Sequence, residues 1–286
     1  MVKNELRRQN LDWKKLGLRV LVAIFGAPLI IFLLLYGKLP YVILILVINL
    51  AAQHEFYKLN EYKGMLPLKS IGMAGTIAIT FTIYYFGLEK IWLIVLAIFY
   101  FTLLVELFRD NESATMNVAS TAWGIFYPPL FFSFMILLRE LPSELNMEYY
   151  LGGRWVLLML ITIWICDTAA YFVGKAIGKH KLFPRVSPNK TIEGAVAGVV
   201  FSFITVYIFH LTYIESLSLG HCLIIALIVG VFSQTGDLIE SLFKRDAGVK
   251  DSSSLLPGHG GMLDRFDAPT IVAPLVYLYL KYLVFA

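Results

Sequence analysis

The chain has 286 residues, of which 58% are hydrophobic and 15% charged, with a net charge of +4 and a mean hydropathy of +0.73. Soluble domains carry about 25% charged residues, so this composition excludes an ordinary water-soluble fold. A helix crosses a bilayer in about 20 mostly apolar residues, which leaves room for roughly eight to ten spans.

In chain order, residues 5–16 come first and alternate Leu6, Leu11, Trp13 and Leu16 with Arg7, Arg8, Lys14 and Lys15. The pattern suits a short amphipathic helix lying in the membrane interface, and equally a solvated basic tail. Nine apolar stretches follow, at 17–36, 39–57, 71–87, 91–108, 119–138, 154–174, 192–213, 219–240 and 268–285. Each predicts a transmembrane helix. The first is long and is followed by no small-x-small cleavage site, so it reads as a retained span rather than a signal peptide. The two cysteines, Cys166 and Cys222, sit inside these stretches and imply no disulfide framework.

An odd number of spans puts the termini on opposite sides. Of the 24 Lys and Arg residues, all but Lys38, Lys90, Arg139, Arg154 and Lys281 then fall on the side of the N-terminus. Basic loops mark the cytoplasmic face. The expectation is therefore an all-α, polytopic protein of the inner (plasma) membrane, with a cytoplasmic N-terminus. It divides into the interfacial segment 1–16, a first group of helices over 17–138, and a region over 139–286. This last region holds two polar, basic, Gly- and Pro-containing cytoplasmic loops, 175–191 and 241–267. The chain has no internal repeat or low-complexity tract.

Those two loops carry the chemistry. Around 241–267 lie Asp237, Ser241, Lys244, Arg245, Lys250, Asp251, His259, Gly260, Gly261, Asp264, Arg265 and Asp267, all at a membrane boundary. On a helix, the i, i+3 spacing of Asp264 and Asp267 puts both on one face, and Asp237 can add a third carboxylate from the preceding span. Hard divalent cations such as Mg²⁺ take carboxylate and phosphate oxygens, and ionisable groups inside a membrane point to function. Lys244, Arg245 and Lys250 suit phosphate oxygens. The glycine turn lets backbone N–H groups approach an anion, and His259 is placed to hydrogen-bond a substrate or shuttle a proton. In the other loop, Asp167 lies within an apolar span, about two turns from its cytoplasmic end. Ser187, Lys190, Thr191 and Glu193 read as a helix start, with Ser or Thr as cap. The plainer alternative is a capped helix in a basic loop that meets anionic headgroups.

The stretch 241–267 resembles the signature of the phosphatidate cytidylyltransferase (CDP-diacylglycerol synthase) family. It fills every fixed position of that pattern, with Ser241, Lys244, Arg245, Lys250, Asp251, Ser253, Leu256, Pro257, His259, Gly260, Gly261, Asp264, Arg265 and Asp267. The earlier Asp167, Tyr171, Gly174, Gly178, Lys179 set, the Ser187–Gly194 stretch and Gly236-Asp237-Leu238 are also similar to the family. The first five spans match it only in hydropathy. The resemblance implies formation of CDP-diacylglycerol and pyrophosphate from CTP and phosphatidate, with membrane lipids around the site and no nucleic-acid partner. The carboxylates themselves point to Mg²⁺ at Asp237, Asp264 and Asp267, alone or with a second cation in a two-metal site. Catalytic roles would fall to those aspartates and to Lys244, Arg245, Lys250, Asp251 and His259. Substrate contacts would come from Asp167, Ser187, Lys190, Thr191, Glu193, Ser241, Gly260, Gly261 and Arg265. A cytidylyltransferase for another lipid phosphate stays open. An ion-coupled transporter would also explain Glu106, Asp167, Glu193, Asp237 and Glu240, although most of these lie near cytoplasmic span ends. For the first five spans, a homodimer interface, a lipid access path and plain scaffold remain equal readings.

Overall fold

The computed structural model describes residues 26–214, 217–253, 255 and 260–285. The segment 1–16, the start of the first expected span, and His259 lie outside the described residues. The helices are α1 (Gly26–Tyr36), α2 (Lys38–Glu61), α3 (Lys69–Phe86), α4 (Ile91–Leu107), α5 (Ala114–Ile125), α6 (Phe134–Glu144), α7 (Tyr150–Ile177), α8 (Ile192–Thr212), α9 (Leu219–Asp246) and α10 (Leu263–Tyr279). Each predicted apolar stretch falls on one of them or, for 119–138, on the α5–α6 pair. By length and composition, α2, α7, α8 and α9 are able to cross a membrane, and α5 with α6 makes a fifth if the bent pair is one span. α4 exposes Trp92, Leu96, Phe101 and Leu107, an apolar surface of the kind a bilayer covers.

The fifth stretch is not straight. A π-turn at Phe126–Leu130 contains Pro128 and Pro129, and the helix on its far side departs by 46°. Proline removes a backbone donor and crowds the preceding turn, and in a membrane the disturbed backbone must find partners inside the protein. At this bend the Pro129 carbonyl accepts the Ser133 N–H at 2.9 Å, the Ser133 hydroxyl at 2.6 Å and Asn49 Nδ2 at 3.3 Å. α2 therefore carries amides that a lipid-facing helix would not. Gln53 and Tyr57 on the same helix bond to each other, to Thr76 and to the Thr121 carbonyl.

Arg139 on α6 has no exposed surface. Its guanidinium donates to the carbonyls of Leu34 at 2.7 Å, Leu35 at 2.8 Å and Tyr149 at 3.0 Å, and lies over the Tyr149 ring. It thus satisfies carbonyls at the C-terminal end of α1, which have no partner within their own helix.

The C-terminal helices pack through glycine. A methyl on Gly194 of α8 would lie 3.1 Å from the Gly174 Cα of α7 and 2.5 Å from the Ala170 carbonyl. One on Gly230 of α9 would lie 3.0 Å from the Val199 Cα of α8, and one on Gly236 2.8 Å from the Asp267 carbonyl of α10. Small residues let membrane helices approach this closely where no hydrophobic force draws them together.

The loop 175–191 departs from the all-α expectation. β1 (Lys181–Phe183) pairs antiparallel with β2 (Ser187–Thr191), Lys181 opposite Thr191 and Phe183 opposite Ser187. Pro188 disfavours a helical Ser187, so the helix start falls on Thr191 instead. The Thr191 hydroxyl accepts the Gly194 N–H at 3.2 Å and caps α8.

Candidate active site

The close approach of α9 and α10 at Gly236 brings two acidic faces together. Asp237, Glu240, Ser241 and Lys244 recur at helical spacing along α9, and Asp264 and Asp267 stand one turn apart on α10. Asp237, Glu240 and Asp267 each offer an oxygen within 4.8 Å of the other two. Glu240 and Asp267 are buried. One Glu240 oxygen, Oε1, is buried with no hydrogen-bond partner among the described residues. Three carboxylates with such an open acceptor fit a hard divalent cation.

Cations flank the cluster. Lys244, whose side chain is 11% exposed, reaches Glu240 at 2.5 Å and Asp264 at 2.6 Å. Lys190 arrives from β2 and pairs with Asp237 at 2.7 Å, so the ribbon and the last loop meet at one carboxylate. The Ser241 hydroxyl lies 3.3 Å from Asp237 Oδ1. Asp264 is committed to its own loop: its Oδ2 accepts the Gly261 N–H at 2.7 Å and the Ser252 hydroxyl at 2.9 Å. Gly260 permits this turn because its φ is +81°, a left-handed conformation that residues with a Cβ rarely adopt.

A cavity of about 1250 Å³ opens beside the cluster. Asp167 from α7, Lys190 and Thr191 from the ribbon, Asp237, Glu240 and Lys244 from α9, Asp251 and Gly260 from the loop, and Asp264, Arg265 and Asp267 from α10 all line it. Sequence reasoning placed all but Glu240 in the site. Tyr171, Lys175 and Lys181 also line the cavity.

Other predicted residues sit at its margins. Arg245 donates to the Val186 carbonyl at 3.4 Å and to the Val249 carbonyl at 3.1 Å, bracing the ribbon against the loop. Glu193 bonds the His180 ring at 2.6 Å and its N–H at 3.2 Å, fixing the approach to the ribbon. Ser187 is the ribbon residue opposite Phe183. Lys250 is exposed on the loop, and Gly261 is buried beneath it.

Among the described residues, the carboxylate group with metal-binding geometry thus contains Glu240 where the sequence reading had Asp264. Glu240 stands three residues after Asp237 and four before Lys244, a signal present in the sequence. Glu55, on α2, has no such signal, yet its carboxylate enters the same loop.

The same chain matches the sequence model of the cytidylyltransferase family over residues 17–283. The chain belongs to that family. It is 34% identical over 275 residues to the phosphatidate cytidylyltransferase of Bacillus subtilis (strain 168), covering 92% of this chain and 96% of the relative. It is 34% identical over 269 residues to the phosphatidate cytidylyltransferase of Staphylococcus aureus (strain COL), covering 92% and 98%. The family match extends through the first five spans, where the sequence had offered only hydropathy.

Proposed function

We propose that this protein transfers the cytidylyl group of CTP to phosphatidate, giving CDP-diacylglycerol and pyrophosphate. The observation that carries the reading is the cavity itself, where three carboxylates and Lys190, Lys244 and Arg265 converge in a chain matched to the family over residues 17–283. A phosphate monoester oxygen is already nucleophilic, so no protein nucleophile is required. That oxygen attacks the α-phosphorus of CTP, the bond to the β-phosphate bridging oxygen breaks, and pyrophosphate leaves with the electron pair. Catalysis is then positioning and charge neutralisation.

Asp237, Glu240 and Asp267 are proposed to hold Mg²⁺, with Asp264 fixing Lys244 beside them. Bound there, the ion supplies neutralisation of phosphate charge. Lys190 and Arg265 would hold phosphate oxygens, and Lys175 and Lys181 on the cavity wall would attract both anionic substrates. The proposed topology has nine spans with the N-terminus and cavity facing the cytoplasm, in the plasma membrane. The strongly one-sided Lys and Arg distribution supports it. The diacyl tails would stay among the helices while CTP enters from water.

The test is purified protein in detergent with phosphatidate, CTP and Mg²⁺, following pyrophosphate and lipid-linked cytidine together, beside an Asp264→Asn variant and a metal-free sample. Both products should appear at equal rates and vanish in the two controls. Turnover only with a different lipid phosphate would keep the chemistry and change the substrate. No product with any lipid phosphate, from folded protein, would refute the reading.

A further inference from the structure

Glu55 is 2% exposed and lies on α2, outside the carboxylate cluster. Its oxygens are fully engaged by donors almost two hundred or more residues away in sequence. Oε1 accepts the Met262 N–H at 2.9 Å and the Ser253 hydroxyl at 2.5 Å. Oε2 accepts the Leu263 N–H at 2.8 Å and lies 3.0 Å from the Ser252 hydroxyl. The first N–H groups of a helix have no partner inside it. Here Met262, the N-cap residue of α10, makes no side-chain cap hydrogen bond. Glu55 therefore supplies from another helix what a local Asp or Ser normally provides, with the charge favoured at that end.

The contact continues into the site. Ser252 also lies 2.9 Å from Asp264, Gly261 donates to Asp264 at 2.7 Å, and Asp264 holds Lys244. Gly261 is pressed against both partners, since a methyl there would run into the Ser252 hydroxyl and the Glu55 carboxylate. Near the start of the same loop, Lys63, just beyond α2, pairs with Asp246 at the end of α9.

We propose that Glu55 is a positioning residue for the reaction. It fixes residues 252–253 and 261–263 at the depth where Asp264, Arg265 and Asp267 face the cavity. The first helices thus contribute an internal brace for the catalytic loop. This rests on the cytidylyl-transfer reading and adds a residue to it. The chemistry needs two acceptors at this point. Glutamine offers one oxygen and an NH₂ that would confront a backbone N–H, whereas aspartate keeps both acceptors on a stem one methylene shorter.

The experiment compares full-length wild type, Glu55→Gln, Glu55→Asp and Gly261→Ala in detergent. It reads steady-state kinetics with CTP and phosphatidate, and hydrogen exchange of peptides spanning 247–263 without substrate. Glu55→Gln should lower kcat by about 30-fold, the scale of a sub-ångström misplacement, with the KM for phosphatidate unchanged. Exchange should rise in 247–263 and stay at wild-type level in α7 and α8. Gly261→Ala should reproduce this with Glu55 intact, and Glu55→Asp should fall between. Wild-type kcat and loop exchange in Glu55→Gln would overturn the proposal, as would faster exchange in every helix, which would make the role one of general folding. If Glu55→Gln does not fold, Gly261→Ala decides between the same outcomes. A wild type that makes no CDP-linked lipid, with loop exchange still responding to both variants, would remove the chemistry and leave the brace.

Discussion

The two halves of the molecule are held together by different means. In α7–α10, glycines bring backbones into contact, and Asp167, Asp237, Glu240, Lys244, Asp264, Arg265 and Asp267 line the cavity. In α2–α6, polar residues face one another: Asn49 with Ser133, Gln53 with Tyr57 and Thr76, and Asn117 with Glu106 at 2.8 Å. The first arrangement places charge where a substrate can reach it. The second uses its polarity to hold a bent helix pair, while Glu55 crosses from it into the loop of the other half, with Lys63 pairing to Asp246 at the start of that loop.

The sharpest way to test this division is Asp267→Asn. It should lower the rate of pyrophosphate release by about 10³-fold, the scale of removing a preorganised charge contact. The thermal midpoint should hold or rise, because like charges near Asp237 and Glu240 are relieved. A large loss of stability would instead make the cluster structural. Lys244→Met comes next: it leaves Glu240 and Asp264 facing each other without their shared cation. It should cost about 3 kcal/mol of stability together with activity, measured by denaturation and turnover on one preparation.

Glycine provides a matched pair. Gly236→Ala forces α9 from the Asp267 carbonyl and should cost about 2 kcal/mol, with turnover falling more steeply than stability. Gly75→Ala meets the end of the Ile98 side chain at 2.9 Å, which can rotate away, so its cost should stay below about 1 kcal/mol with normal kinetics. Equal effects on turnover would break the comparison. The smallest change is expected from Lys63→Ala. Its pair with Asp246 is partly exposed, with side chains 33% and 54% accessible, and such pairs contribute about 0–1 kcal/mol.

What could be read from the sequence follows from these physics. Apolar stretches of nearly twenty residues located the helices because a bilayer demands that length, and 241–267 stood out because charge at a membrane boundary needs a reason. Thr191 was readable as a cap from its chemistry, but a ribbon of three- and five-residue strands has too little periodicity to announce itself. Hydropathy marks 119–138 as one span, and Pro128 and Pro129 inside it mark the place where the structure bends it. Glu240 is legible as an embedded carboxylate, but its place in the site follows only from helical phase along α9, which sets it on the face of Asp237 and Lys244. Glu55 was invisible for another reason: its partners lie 197 to 208 positions away, and no local pattern encodes a contact made only by folding.

Arg139 carries a consequence for biogenesis. Chains are made from the N-terminus, yet the carbonyls of Leu34 and Leu35 receive their guanidinium from a residue 105 and 104 positions later. In the proposed nine-span topology, α1 and α2 therefore precede by about a hundred residues the side chain that completes the turn between them. Until then these helix-end carbonyls must find other partners, such as interfacial water. The turn after α1 gains its guanidinium only with α6, and a chain ending before residue 139 would lack it.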